Sequence, residues 1–346
     1  MSDLRIGVLP AGFDETGMDF VKHAEELGAD SVWMPEAWMY DALTPLGYIA
    51  AITERVRLAT GVVQLGARSP AMLAMSAFAL QKMSGDRFIL GVGTSGPQVM
   101  EGWHGVRFDK PVTRTSETID IIRIIESGER LSYDGKVHEL PLPDSQGRSI
   151  RSPIAGGVPL PIYIASMGPA NLKLTGAKAD GWIGQTFMPE SGDVFTDPIR
   201  EGAEAVGRSL DDIELTVQVT LDFCDDPEAA GRRNADGYAF TIGAMGSPST
   251  NFYNRAFTRQ GFGEAVEKVY DLWASGDRDG AAAAVPIEIG LQTNLLGGDE
   301  DVTTRLRAYR DAGIQTLRVR VDTDDATVRI DSLARLMDFI ALVNEE

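Results

Sequence analysis

Short apolar runs alternate along the chain with longer segments in which apolar residues recur every three to four positions. The short runs are apolar almost throughout, which is typical of strands buried on both faces of a parallel sheet. They predict strands at residues 5–9, 31–34, 57–63, 88–92, 161–165, 181–184, 213–221 and 316–321. The longer segments predict helices at residues 17–27, 45–55, 70–84, 112–127, 169–178, 194–206, 299–312 and 327–343.

This alternation of strands and helices predicts an α/β fold. Eight units in 346 residues average about 43 residues each, which suits a (β/α)8 TIM barrel with insertions on the loops after the strands. An open doubly wound sheet would need fewer strands or a second domain, so we expect one domain over residues 1–346. Residues 129–160, with a hairpin near Asp134, and residues 240–263 fit the repeat poorly. Each is predicted to be an insertion, either a substrate lid or a plain surface loop.

The charge balance narrows the class of partner. The chain has 32 Lys and Arg against 51 Asp and Glu, a net charge of −19, which disfavours nucleic acid and anionic membrane surfaces. Cys224 is the only cysteine, and the three histidines are widely spaced, so neither a disulfide nor a metal site is expected. The N-terminal residues lack the basic and apolar segments of a signal peptide, so we expect a cytoplasmic protein.

A glycine pattern after the fourth predicted strand resembles a dinucleotide-binding motif. Gly91, Gly93 and Gly96 fit GxGxxG, but the motif does not follow the first strand and Pro97 comes directly after it. The pattern therefore disfavours a Rossmann fold, and its glycines would instead let the backbone approach a ligand at a strand end. His104 lies in the same loop, where it is a candidate catalytic residue.

Several of these loops together resemble a known family. Residues 60–64 (TGVVQ), 87–96 (RFILGVGTSG), 161–169 (PIYIASMGP) and 179–182 (ADGW) resemble the bacterial luciferase-like superfamily. Residues 93–105 are most similar to its deazaflavin-dependent branch, which uses coenzyme F420. That branch includes methylenetetrahydromethanopterin reductase and a sugar-phosphate dehydrogenase. The resemblance implies an F420-dependent oxidoreductase that transfers a hydride between the deazaflavin C5 and a small organic substrate.

The resemblance also implies where the cofactor lies. A non-prolyl cis peptide between Gly61 and Val62 would back the deazaflavin ring, and the amides before the helix at Pro169 would receive the phosphate. Arg68 or Lys173 would offset the charge of the anionic tail. The residues implied to contact the cofactor are Glu36, Gly61, Val62, Gln64, Thr94, Ser95, Gly96, Gln98, Ala165, Ser166, Met167 and Gly168.

The loop after the second strand carries the main catalytic candidate. Family members have an acid at the position of Glu36, so we expect Glu36 to handle a proton near the ring, with His104 and Glu101 next in line. Trp38 is either a platform for ring or substrate or a loop anchor. The sugar-phosphate dehydrogenase has a histidine and a glutamate where this chain has Ala37 and Gly96, which argues against sugar-phosphate oxidation.

Two other functions stay open at this level. One is an FMN-dependent two-component monooxygenase of the same fold, and the other is a non-catalytic deazaflavin-binding barrel. The sequence specifies neither the substrate nor the direction of hydride transfer. We expect a small-molecule substrate and a homodimer.

Overall fold

The computed structural model describes residues 3–154, 157–246 and 251–346. Within these residues the strands are β1 (Arg5–Val8), β2 (Ser31–Met34), β3 (Arg57–Thr60), β4 (Val63–Gln64), β5 (Phe88–Gly93), β6 (Tyr133–Asp134), β7 (Glu139–Leu140), β8 (Ile162–Ala165), β9 (Gly181–Gly184), β10 (Glu214–Phe223), β11 (Leu295–Gly297) and β12 (Thr316–Val321). The α-helices are α1 (Glu15–Glu26), α2 (Leu43–Ile52), α3 (Pro70–Met83), α4 (Pro97–Gly102), α5 (Pro111–Ser127), α6 (Pro169–Lys178), α7 (Asp193–Glu204), α8 (Pro227–Arg233), α9 (Ala235–Ala244), α10 (Phe252–Phe257), α11 (Gly263–Ser275), α12 (Arg278–Ala283), α13 (Ile287–Gln292), α14 (Asp299–Asp311) and α15 (Ala326–Glu345). None of these helices is long and apolar enough to cross a membrane.

Eight parallel strands close into a barrel. Their order is β1, β2, β3, β5, β8, β9, β10 and β12, and β12 pairs back onto β1 with Arg5 opposite Thr316. The predicted (β/α)8 barrel is therefore confirmed. The predicted strand at residues 57–63 is interrupted: β3 ends at Thr60, and β4 begins at Val63 and pairs with β5. This interruption lies at the carboxyl end of β3.

Local signals in the sequence explain where several helices begin. Asp14 accepts a hydrogen bond from the amide of Gly17 at the start of α1, and Ser69 accepts one from Met72 at the start of α3. Asp325 caps α15 in the same way. These caps place each helix against the strand before it, because the turn that precedes the helix is fixed.

The two segments that fit the repeat poorly differ in extent. Residues 129–160 contain the antiparallel pair β6 and β7, as the hairpin prediction requires. The second excursion is larger than residues 240–263, because α8 to α13 all lie between β10 and β11. These helices pack on a core of their own that includes Ile242, Phe257 and Ile289. Most of them are short, which leaves too few turns for a clear helical period.

A buried carboxylate ties the barrel together at its amino end. Glu214, at the start of β10, accepts hydrogen bonds from both terminal nitrogens of Arg57 at 2.9 Å. It also accepts from the hydroxyls of Tyr163 at 2.6 Å and Thr316 at 2.7 Å, and pairs with Arg5 at 3.0 Å. Burial alone would raise the pKa of Glu214, but its hydrogen bonds and the charges of both arginines lower it to about 2. One side chain thus joins five barrel strands.

This network predicts a specific pH dependence of stability. Glu214→Gln leaves Arg57 and Arg5 without their shared anion, so we expect the free energy of unfolding at pH 7 to fall by about 3–5 kcal/mol. The difference from wild type should stay constant above pH 4.5 and shrink as the pH falls from 4.5 towards 2. The reason is that a carboxyl with a lowered folded-state pKa stabilises only while it is ionised.

Urea denaturation at a series of pH values measures this difference. Asp197→Asn is the control, because Asp197 is exposed and pairs only with Arg200 on its own helix. A Glu214→Gln variant as stable as this control at pH 7 would contradict the role given to the network.

Candidate active site

A cavity of about 340 Å³ lies at the carboxyl ends of the barrel strands. Most of the residues predicted to form the site line it, namely Glu36, Trp38, Gly61, Val62, Gln64, Thr94, Ser95, Gly96, Ala165, Ser166 and Met167. Three predicted residues lie outside its lining. Gln98 is in α4, Gly168 is the residue before α6, and His104 faces a neighbouring cavity of about 270 Å³.

The interruption after β3 forms part of the cavity wall. The peptide bond between Gly61 and Val62 is cis, as the resemblance implied. Gly91 and Gly93 allow β5 to approach this segment closely. A Cβ on Gly91 would lie 1.9 Å from the carbonyl oxygen of Thr60, and one on Gly93 would lie 2.6 Å from the side chain of Val62. The glycine motif therefore serves strand packing beside the cavity.

Glu36 is held by donors on both carboxylate oxygens. Arg68 binds it with two parallel hydrogen bonds of 2.8 and 2.7 Å, and the amides of Gln64 and Ala42 add bonds of 3.1 and 3.2 Å. The side chain of Glu36 is only 7% exposed. Four N–H groups therefore fix the position of this carboxylate, and the paired bonds to Arg68 also fix its orientation. This geometry favours Glu36 as a positioning residue over the proton-transfer role expected from the sequence.

His104 is tied to the same network through Gln64. The side-chain nitrogen of Gln64, Nε2, donates to the backbone carbonyl oxygens of Glu36 and Ala37, at 3.1 and 2.8 Å. This leaves the side-chain oxygen, Oε1, as an acceptor. Nε2 of His104 lies 2.9 Å from that oxygen and therefore donates to it. The geometry thus places His104 against Gln64 and outside the lining of the larger cavity.

The start of α6 lies beside one end of the cavity, which is lined by Ser166 and Met167. Gly168 offers no side-chain cap, and a Cβ added to it would meet open space, so a ligand can reach the first amides of α6. Arg259, from the excursion between β10 and β11, donates to the carbonyl oxygen of Met167. Burial, and then the neighbouring Arg255, lower the pKa of Arg259, and its buried Nε has no hydrogen-bond partner in the described part of the chain.

The two cations that the sequence suggested for this charge are already paired. Arg68 binds Glu36, and Lys173 pairs with Glu201 at 2.7 Å. Arg259 is therefore the cation that the fold brings to the start of α6. It was missed because it lies about 90 residues away along the chain, in a segment without a clear repeat.

A second, smaller cavity of about 180 Å³ adjoins the first and shares Gln185 and Tyr253 with it. Among the residues that the structure describes, none that lines this cavity carries a formal charge. Its lining is Gln185, Thr186, Gln218, Val219, Thr220, Tyr238, Thr241, Tyr253, Thr293 and Asn294. Hydrogen bonds from Asn294 to Tyr238 at 2.9 Å and from Gln185 to Gln218 at 3.1 Å order these groups.

Tyr253 stands on the wall common to both cavities. Its hydroxyl has no hydrogen-bond partner within the described part of the chain, and burial raises its pKa. A phenol in this state stays protonated at neutral pH, so it can donate to a bound oxygen atom. Sequence reasoning placed Tyr253 in an insertion without singling it out. For Gln185 a signal was available, because it directly follows a predicted strand.

Comparison with known proteins identifies the family. The model of the family described as luciferase-like monooxygenase matches residues 13–316. The chain belongs to this family, as its resemblance indicated.

Residues 3–154, 157–246 and 251–346 contain no group of three or more metal-ligating side chains that could hold a metal ion.

Individual relatives point to one cofactor. A protein of Mycobacterium tuberculosis, named as a candidate coenzyme F420-dependent oxidoreductase, is 34% identical over 96% of this chain and 98% of its own. The 5,10-methylenetetrahydromethanopterin reductase of Archaeoglobus fulgidus is 27% identical over 85% of this chain and 86% of its own. The solved structure of the F420-dependent tetrahydromethanopterin reductase of Methanopyrus kandleri has a TM-score of 0.75 at 24% identity, and the match covers 96% and 97% of the two chains.

The pairing of Glu36 with Arg68 leads to a testable prediction. Arg68→Met leaves a nearly buried carboxylate without its cation, so we expect the free energy of unfolding to fall by about 3 kcal/mol. The double variant with Glu36→Gln should recover part of that loss, because it removes both charges of the pair. Urea denaturation of the single and double variants measures the coupling.

Arg107→Met is the matched control, since Arg107 is exposed on the neighbouring loop. Its stability should be close to that of wild type. The assignment fails if Arg68→Met is no less stable than Arg107→Met.

Proposed function

We propose that this chain is an F420-dependent oxidoreductase that transfers a hydride between the deazaflavin C5 and a small organic substrate. The observation that carries the proposal is the cavity over Gly61 and Val62, which extends to Met167, two residues before α6 begins without a side-chain cap. A planar ring with an anionic tail needs both features. The names of the relatives support F420 as the cofactor that has this ring and this tail.

Different segments of the chain would bind the ring and the phosphate of the cofactor. The peptide between Gly61 and Val62 would back the ring, and residues 94–96 and 165–167 would line its edges. The amides at the start of α6 and the guanidinium of Arg259 would receive the phosphate. Gln98 and Gly168 would lie further along the tail. When bound, F420 supplies a carbon that accepts or donates a hydride, and the barrel orients it.

The second cavity would hold the substrate. It opens beside the first at Tyr253 and Gln185 and offers carboxamide, hydroxyl and phenol groups without a formal charge. We therefore propose an uncharged substrate with a carbonyl or hydroxyl group. A sugar phosphate would leave its charge unmatched there, in line with the departures at Ala37 and Gly96.

Tyr253 would move the proton that accompanies the hydride. Its phenol would donate to a substrate oxygen as the neighbouring carbon gains a hydride, and it would accept the proton back in the reverse direction. Glu36, Gln64 and His104 would hold the loop after β2 against the cavity. Trp38, which is 49% exposed, would cover the mouth of the site.

A second candidate follows from the family description itself, which names a monooxygenase. An FMN-dependent enzyme of this fold would need a partner reductase and oxygen. Both candidates place a tricyclic ring in the same cavity, so the identity of the cofactor separates them.

Cofactor choice is the first prediction from this proposal. The purified protein should bind oxidised F420 with a Kd in the micromolar range or below, which is about −8 kcal/mol at 1 μM. FMN should bind at least tenfold more weakly, a difference of about 1.4 kcal/mol. Fluorescence titrations of both cofactors at one ionic strength decide the question, because the charge of the tail makes affinity depend on salt. Tighter binding of FMN would contradict the F420 proposal and leave the barrel unaffected.

The second prediction separates Tyr253 from Glu36. With reduced F420 and the best substrate from a panel of uncharged ketones and aldehydes, Tyr253→Phe should lower kcat by about 10²-fold. Its Kd for F420 should change little, because only the hydroxyl is lost. Glu36→Gln should raise the Kd for F420 and also lower kcat, since the loop after β2 loses the ion pair between Glu36 and Arg68. If Glu36→Gln lowered kcat alone and Tyr253→Phe had no effect, the proton-transfer role would return to Glu36.

We also propose a homodimer that works in the cytoplasm. Tyr48 on α2 and Met72, Met75 and Met83 on α3 are exposed apolar side chains on two helices that pack together. Such a patch favours contact with a second copy.

Light scattering should give about twice the chain mass of 37.4 kDa, and Met75→Asp should restore the single mass. Met39→Asp, on an exposed loop, is the control. A wild-type protein that scatters as a single chain at 50 μM would rule out the dimer.

A further inference from the structure

Arg318 is a buried cation directly behind the wall of the larger cavity. It lies on β12, is 1% exposed, and points into the barrel, where Nη2 donates to the carbonyl oxygen of Gly184 at 2.6 Å. Its Nη1 would lie 3.8 Å from a Cβ placed on Gly61. Gly61 lines the cavity, and so do Ile183 and Gln185 on either side of Gly184. The guanidinium is therefore one backbone layer away from the space proposed for the ring.

The charge of Arg318 is not matched by any anion within the described residues. Arg57, lower in the same barrel, pairs with Asp30 and Glu214, whereas Arg318 forms no ion pair with the residues that the structure describes. Its guanidinium carbon lies 5.2 Å from the centre of the Trp33 ring, and its Nε has no hydrogen-bond partner among the same described residues. Burial lowers the pKa of Arg318 to about 9, which still leaves it cationic at pH 7.

An unmatched buried cation is costly to a fold, so its presence beside a cavity favours a role that involves negative charge on a bound molecule. Hydride transfer to a bound ring supplies such a charge, because a hydride ion carries two electrons with one proton and adds one negative charge. A fixed cation behind the ring would attract that charge strongly, since little water lies between them to screen it. No rearrangement of the protein would be required.

We propose that Arg318 stabilises the hydride-carrying form of the bound deazaflavin relative to the oxidised form. This inference rests on the F420 function proposed above and deepens it. Arg318 does not line the cavity, so it acts on the ring through its electric field and is not a catalytic residue. A purely structural role, as an anchor for Gly184 and Trp33, would affect both forms of the cofactor equally.

The test compares two affinities and one potential. Wild-type protein should bind enzymatically reduced F420 at least tenfold more tightly than oxidised F420, in anaerobic fluorescence titrations. For a two-electron couple, that ratio corresponds to a midpoint potential of the bound cofactor about 30 mV more positive than that of free F420. Arg318→Met and Arg318→Gln should each reduce the ratio at least tenfold, whereas Arg318→Lys should keep most of it.

Arg329→Met controls for the loss of a buried arginine. Arg329 lies on α15 outside the barrel and bonds to the carbonyl oxygen of Thr323, so its removal should leave the ratio unchanged. The proposal is overturned if wild type binds the oxidised form as tightly as the reduced form, a result that needs no variant to fold. It is also overturned if the neutral Arg318 variants change both affinities equally. If wild type binds neither form, the F420 function itself fails.

Discussion

The interior of a closed parallel barrel admits a charge only where another charge or a set of hydrogen bonds meets it, and Glu214 shows how strictly this is satisfied. Its carboxylate gathers donors from four other strands at the amino end of the barrel. Because these contacts set the register of the strands, they also set where the strands end. Glu36, Gly61 and Gln185 therefore meet around one cavity although they are far apart in sequence.

Some polar groups near the carboxyl end of the barrel are incompletely matched. Within the described residues, Arg318 has no counter-ion, and one buried nitrogen of Arg259 and one of Arg318 have no hydrogen-bond partner. Most buried polar groups in folded proteins are paired, so unpaired groups beside a cavity are candidates for contact with a ligand. In the proposed binding mode, Arg318 would lie behind the ring, Arg259 would lie at the tail, and Tyr253 would be the proton donor on the substrate side. Together they suit an anionic cofactor and an uncharged substrate.

The sequence predicted the barrel because its strands are apolar throughout, and all eight predicted strands occur in it. The resemblance to the luciferase-like superfamily implied that the loops after β2, β5 and β8 belong to the site, and these loops lie at the ends where barrel strands converge. The sequence could not predict that Arg68 would be taken up by Glu36, because that pairing depends on the turn after β4. The sequence did not predict Tyr253 or Arg259 as residues of the site, for a related reason. They come from short helices without a clear period, and only the packing of the excursion between β10 and β11 brings them to the cavity.

The central claim is that the cavity over Gly61 and Val62 is the F420 site, and a crystal structure of the complex tests it most directly. The account predicts density for the deazaflavin ring against the peptide between Gly61 and Val62. The phosphate should lie within hydrogen-bond distance of the amides at the start of α6 and of Arg259. A ring found beside His104 in the neighbouring cavity, or a phosphate remote from both α6 and Arg259, would contradict the account.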